Sequence, residues 1–242
     1  MNHDEYVGAI RRDGAALADA ARRAGLDARV PSCPLWSVSD LLGHIGRIHR
    51  WVAQITVDNA TARGAHWSEA EPPPDDERIE WFAAGVPILA DALANAGPDL
   101  GLWSWTPDET SGFWARRQAN ETAMHCFDAQ LAADATAPIE RVLAVDGIDE
   151  LFDLIPYWPL ADRVRGAGET LHFHCTDGDG EWLAQLSSEG LVVTREHAKG
   201  HVAARGTASD LLLFLYGRVE ADTLDVFGDA ALLARWRELV TW

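Results

Sequence analysis

The hydrophobic pattern of this sequence switches from a helical to a strand period partway along its 242 residues, and that switch calls for two parts built in different ways. In the first half, apolar residues recur three and four apart, the spacing of one helix face. Val7, Ile10, Leu17 and Ala20 mark such a face over 4–23, and Val38, Leu41, Ile45, Ile48, Val52 and Ile55 mark a second. Ile79, Phe82, Val86, Leu89 and Leu93 mark a third over 77–96, and the stretch 111–133 is rich in helix formers with no Gly or Pro after Gly112. From residue 170 the period becomes two, the signature of strands. The expected fold class is α+β: an up-down four-helix bundle over 1–145, then an antiparallel sheet with two helices over 146–242.

Punctuation refines these boundaries. Gly25 stops the first helix, Pro31 and Pro34 mark a turn, and Ser37-Val38-Ser39-Asp40 resembles a capping box with Asp in place of Glu. The run 68–76 is an acidic, proline-rich connector read as a solvated loop, and Gly97-Pro98 closes the third helix. Pro87 inside that helix predicts a kink or a late start. In the second part a short helix is expected over 147–154. Strands follow over 170–175, 181–186, 191–195 and 201–204, with turns at Asp179-Gly180 and Glu189-Gly190. Helices over 208–216 and 230–239 follow the N-caps Thr207 and Asp229.

Charge removes whole classes of partner. Lys plus Arg is 20 against 38 for Asp plus Glu, and a net charge of −18 repels phosphate backbones and anionic membranes. Cys33, Cys126 and Cys175 are too few and too scattered for a disulfide framework. The first twenty residues carry six charges, at Asp4, Glu5, Arg11, Arg12, Asp13 and Asp19, and no stretch approaches a membrane span. The expectation is a soluble, cytoplasmic protein. No phosphate loop, dinucleotide fingerprint, H-E-x-x-H or G-x-S-x-G occurs in the sequence.

Candidate chemistry concentrates on the fourth helix, where Arg117, Glu121, His125 and Asp128 form one polar row on a helix that a bundle must bury. Glu121 and His125, one turn apart, can offer an oxygen and a nitrogen to one divalent ion; an ordinary surface or core pair has the same spacing. A third ligand has to come from elsewhere. On the second helix His44 borders the apolar seam, either as a core histidine or as a ligand. His49 lies about 140° further round, so only one of the two can face a site in the bundle. His66 reads as ordinary surface. His172 and His174 share one strand face, a solvated pair or a pair of ligands. Asp177-Gly178-Asp179-Gly180 lacks the remaining acidic positions of a calcium loop and reads as a turn.

Three segments taken together, Trp36 to His44, Arg116 to Ala129 and Asp210 to Arg218, resemble the maleylpyruvate isomerase family of mycothiol-dependent enzymes. The resemblance covers nearly the whole chain and implies a DinB-like bundle followed by a domain similar to sterol carrier proteins. It implies further that His44, Glu121 and His125 hold a divalent ion, usually zinc, with Asp128 orienting a ligand or pairing with an Arg. Mycothiol or a similar small thiol would be the cosubstrate and a small, anionic electrophile its target, by isomerisation or S-transfer. Arg218, in Tyr216-Gly217-Arg218 where many relatives have Trp-Gly-Arg, would bind the anionic end of a substrate; a surface Arg paired with Glu220 or Asp222 is the alternative. A non-catalytic protein of the same fold, binding a metal and a small ligand, is the other functional reading. The resemblance names neither the electrophile nor an oligomeric state.

Overall fold

Helix starts in the first half are fixed by side-chain caps. In the computed structural model, which describes residues 1–62, 71–159 and 161–239, Asn2 and Glu5 form a reciprocal capping box that opens α1 (His3–Ala24). Ser37 and Asp40 do the same for α2 (Val38–Val57), as the sequence predicts. α3 (Asp75–Ala96) starts slightly earlier than expected, with Asp75, Asp76 and Glu77 in a first turn that favours negative charge. α4 (Ser111–Ala132) is capped by Thr110, whose hydroxyl accepts from the Phe113 N–H. Pro87 neither delays nor ends α3, because it sits on the exposed side, where the lost backbone hydrogen bond is open to water. His66 lies outside the described residues, as does part of the acidic connector.

The four helices enclose one core. The seam of α2 predicted from Val38 to Ile55 is buried throughout and joins Ile10 and Leu17 of α1, Phe82 and Leu89 of α3, and Trp114 of α4. α1 packs on α3 and α4, and α2 on α3. Gly14 makes the first of these contacts close, since a Cβ there would lie 2.7 Å from the methyl groups of Val86. Between α1 and α2, where the sequence reads as a plain turn, the chain forms an antiparallel ribbon of β1 (Arg29–Val30) and β2 (Cys33–Ser37). That ribbon abuts α2 and α4.

The chain divides into two compact units, Met1–Ile139 and Glu140–Trp242. The second opens with α5 (Arg141–Leu154), longer than the expected 147–154, because the Glu140 carboxylate caps the N–H groups of Val142 and Leu143. Five strands follow: β3 (Glu169–Cys175), β4 (Glu181–Ser187), β5 (Gly190–Thr194), β6 (Val202–Gly206) and β7 (Asp225–Gly228). α6 (Ala208–Leu215) and α7 (Ala230–Leu239) complete the unit, and Thr207 and Asp229 accept from backbone N–H groups at their starts. The strand order is β5-β4-β3-β6-β7.

Three strand pairs are antiparallel as expected, but β3 and β6 run parallel, so the sheet is mixed. The reason is topological. β5 and β6 flank the β4-β3 pair, so the connection 195–201 must cross over those two strands before β6 can enter alongside β3. One sheet face is apolar, with Leu171, Phe173, Trp182, Ala184, Leu186 and Ala204 buried, and Phe173 meets the rings of Phe152 on α5 and Trp236 on α7. The opposite face carries His172, His174 and Glu181. Among the described residues no helix is long and apolar enough to cross a membrane.

Candidate metal centre

α4 buries a polar row, and burial without partners would be prohibitive. Arg117, Gln118, Asn120, His125 and Asp128 are all buried, Gln118 and Asp128 completely. Most of the partners lie on α4 itself: His125 and Asp128 meet each other, Arg117 and Gln118 face Glu121, and Asn120 donates to Arg116 O. Asp128 accepts from His125 Nδ1 at 2.8 Å and from the Ser32 hydroxyl, in the turn of the β1–β2 ribbon, at 2.6 Å. With Nδ1 committed as a donor, His125 keeps its Nε2 lone pair free for another task. Glu121 Oε2 faces Arg117 Nε at 3.7 Å and Gln118 Nε2 at 3.4 Å.

α2 supplies the remaining member. His44 Nε2 lies 3.5 Å from Glu121 Oε1, and one ligand atom from each of His44, Glu121 and His125 falls within 4.8 Å of the others. The edge of a tetrahedron with metal–ligand bonds of about 2.0–2.1 Å is roughly 3.3 Å, close to the His44 to Glu121 separation. Two imidazoles and one carboxylate suit zinc or a neighbouring first-row ion and leave a position open. The Trp36 ring walls the group, with centroids 4.9 Å from His44 and 6.3 Å from His125. His44, with 36% of its side chain exposed, is the open side.

The electrostatics match. Burial raises the Glu121 pKa, but contact with His44 and the charges of Arg117 and His125 outweigh it and hold the carboxyl down at about 2. It is ionised at any working pH. His49, the other histidine of α2, is completely buried, with Nε2 2.9 Å from the Thr122 hydroxyl and its ring against Phe82. Burial lowers its pKa to about 3, so it is neutral. It is His49, and not His44, that occupies the core.

The other sequence candidates lie in the second unit. Arg218 follows α6 through a Schellman motif, in which Gly217 at φ 73° turns the chain while Gly217 N–H bonds Phe214 O and Arg218 N–H bonds Leu213 O at 2.7 Å. Its guanidinium donates to Tyr216 O at 2.8 Å, and neighbouring Glu220 is paired with Arg237. His172 is not a solvated residue: it is 6% exposed, and burial lowers its pKa. Around it and His174 gather Glu181 and His197, neither of which the sequence pattern singles out. Only the strand register and the crossing connection bring those two together with the histidine pair. Ser32 and Trp36 were likewise not marked out by spacing, since the ribbon positions them.

Comparison with known proteins adds the family context. Residues 7–130 match the family model for the mycothiol maleylpyruvate isomerase N-terminal domain, and residues 142–235 match that for the MDMPI C-terminal domain. A crystal structure of the mycothiol-dependent maleylpyruvate isomerase is similar over 93% of both chains, with a TM-score of 0.64 and 14% identity. A histidine-to-alanine mutant of that enzyme aligns over the same 93% of each chain with a TM-score of 0.63 and 13% identity. At such identity the likeness is one of fold. Among curated proteins nothing matches the chain.

Proposed function

Because the chain belongs, through both of its units, to the mycothiol maleylpyruvate isomerase family, we propose that it is a metal-dependent enzyme activating a small thiol, mycothiol in the first instance, against an electrophilic carbon. In this reading His44, Glu121 and His125 hold a divalent ion, zinc by preference. The observation that carries it is the convergence of their three ligand atoms within 4.8 Å on a polar row that a helix bundle has no packing reason to bury. A bound ion of this kind supplies Lewis acidity, which lowers the pKa of a thiol and favours thiolate near neutral pH.

The protein's own groups do the rest. Asp128 fixes the His125 tautomer, and Ser32 fixes Asp128. Arg117 and Gln118 occupy Glu121 Oε2 and leave Oε1 toward His44. In this reading the thiol comes from outside; of the three cysteines, Cys126 and Cys175 are buried, and burial pushes them to about 12 and about 11, far from a thiolate. Arg218 is assigned to the anionic end of the substrate, where a planar, permanently charged fork suits a carboxylate in a protein of net charge −18. With a maleylpyruvate-type substrate, the thiolate adds to the double bond, the new single bond rotates, and loss of the same thiolate restores a trans alkene with no net change in atoms. An electrophile that does not eliminate stops at the S-conjugate.

The test pairs metal analysis with a screen of thiols and electrophiles. His44→Ala and His125→Ala are expected to lose stoichiometric metal at this centre and all turnover, while His49→Gln keeps both. Equal metal loss in His44→Ala and His49→Gln overturns the ligand assignment. Stoichiometric metal with no turnover on any thiol–electrophile pair favours the non-catalytic binding protein instead.

A further inference from the structure

The sheet of the second unit carries a cluster that the thiol chemistry does not use. β3 places His172 and His174 two residues apart on the face away from the helices, and the β3–β4 register sets Glu181 directly opposite His174. The 195–201 connection, crossing from β5 to β6, brings His197 over the same spot. Three imidazoles thereby surround one carboxylate. His174 Nδ1 lies 2.6 Å from Glu181 Oε1, His197 Nδ1 lies 2.9 Å from Oε2, and His172 Nε2 lies 3.7 Å from Oε2. One ligand atom from each of the four falls within 4.8 Å of the others.

The arrangement is poorly satisfied as it stands. His172, 6% exposed, has no hydrogen-bond partner for Nε2, and the approach of His174 Nδ1 to Glu181 is not aligned as a hydrogen bond. Buried nitrogens left this way are costly, and protonating all three rings would crowd like charges whose centroids are 5.5–6.0 Å apart. A cation at the centre resolves both problems by accepting a lone pair from every ring. The N–O separations of 2.6–3.7 Å bracket the tetrahedral edge of roughly 3.3 Å for a zinc-sized ion. Three nitrogens and one oxygen exclude magnesium and calcium, which take oxygen ligands.

We propose that His172, His174, Glu181 and His197 form a second metal site, a closed four-ligand centre for zinc or a similar borderline divalent ion, which pins the 195–201 crossing to the sheet. With all four positions filled by side chains, the site is structural rather than catalytic. It is independent of the His44, Glu121 and His125 reading.

The experiment uses the full chain without a histidine tag, stripped with chelator, reloaded with zinc and cleared of free ion before elemental analysis. Wild type is expected to hold two zinc ions, and His125→Ala, His174→Ala and His197→Ala one each. If the bundle centre is not a metal site, wild type holds one, which His125→Ala keeps and His197→Ala loses. His197 is exposed, so its variant tests the site even if His174→Ala does not fold. Zinc should also slow amide exchange across 195–201 in wild type and not in His197→Ala, and a chelator competition should show binding at this site at least about tenfold weaker in that variant. Equal zinc content and affinity in wild type, His174→Ala and His197→Ala overturns the proposal, and leaves three histidines sharing a carboxylate for proton binding only.

Discussion

Replacing His49 by Gln should spare the bundle about 2 kcal/mol of the stability that acidification to pH 5 costs it. In the folded chain burial holds the His49 imidazole at about 3, whereas in the unfolded chain it returns to its ordinary 6.5. Between these values the unfolded state binds the proton and the folded state does not, so stability is complete above pH 6.5 and falls as pH drops toward 3. At pH 5 the gap from 6.5 is about 1.5 units, and at 1.36 kcal/mol per unit the loss is about 2 kcal/mol. Gln keeps a group able to bond the Thr122 hydroxyl while removing the titration. The assay is urea unfolding of metal-free wild type and His49→Gln at pH 7.5 and pH 5, followed by far-ultraviolet circular dichroism, to which the long helices of the first unit contribute most. The double difference cancels the carboxylates and other histidines common to both proteins. It should show wild type losing about 2 kcal/mol more than the variant on acidification. Parallel losses in the two proteins would refute the reasoning, because a histidine that titrates equally in both states cannot be the buried neutral group at the centre of the seam.

Three further outcomes follow from the site. Asp128→Asn removes the carboxylate that accepts from His125 Nδ1 and should weaken metal binding at the bundle centre by about 10–100-fold, read by chelator competition, with little change in fold. Metal affinity at that centre should fall on acidification, since metal and protons compete for the same two histidine nitrogens; a flat response between about pH 5 and 8 counts against two histidine ligands. Arg218→Ala should cut kcat/KM at least about tenfold, or roughly 1.4 kcal/mol, without changing bound metal, and near-normal turnover returns Arg218 to a surface role.

Local rules carried most of the fold into view. Ser37 with Asp40, Thr207, Asp229, Gly25 and Gly97 mark helix ends through chemistry within a few residues, so those ends can be read directly. Glu140 is a less usual N-cap, which is why α5 begins before the expected residue. The polar row of α4 was legible for the same reason, spacing along one helix. Choosing between His44 and His49 needed the phase of the α2 seam, which the sequence supplies only as an angle; the core contacts of His49 with Phe82 and Thr122 decide it. The parallel pairing of β3 with β6 is invisible to alternation, since a period of two does not state which neighbour a strand chooses. Glu181 and His197 escaped notice on the same ground.

The crossing between β5 and β6 also sets an order of assembly. β3, β4 and β5 are joined in sequence by short turns, so they can zip together as soon as they leave a ribosome. β6 cannot add by zipping. It must wait until the 195–201 connection has spanned three strand spacings, about 14 Å at roughly 4.8 Å each, and only then can β7 dock on its far side. Until that happens β3 shows an open edge inside what will be the centre of the sheet, a surface on which any extended chain can pair. The second unit is therefore most exposed to misassembly late in its synthesis, and changes to the length of this one connection should affect yield of folded protein more than they affect the stability of what has folded.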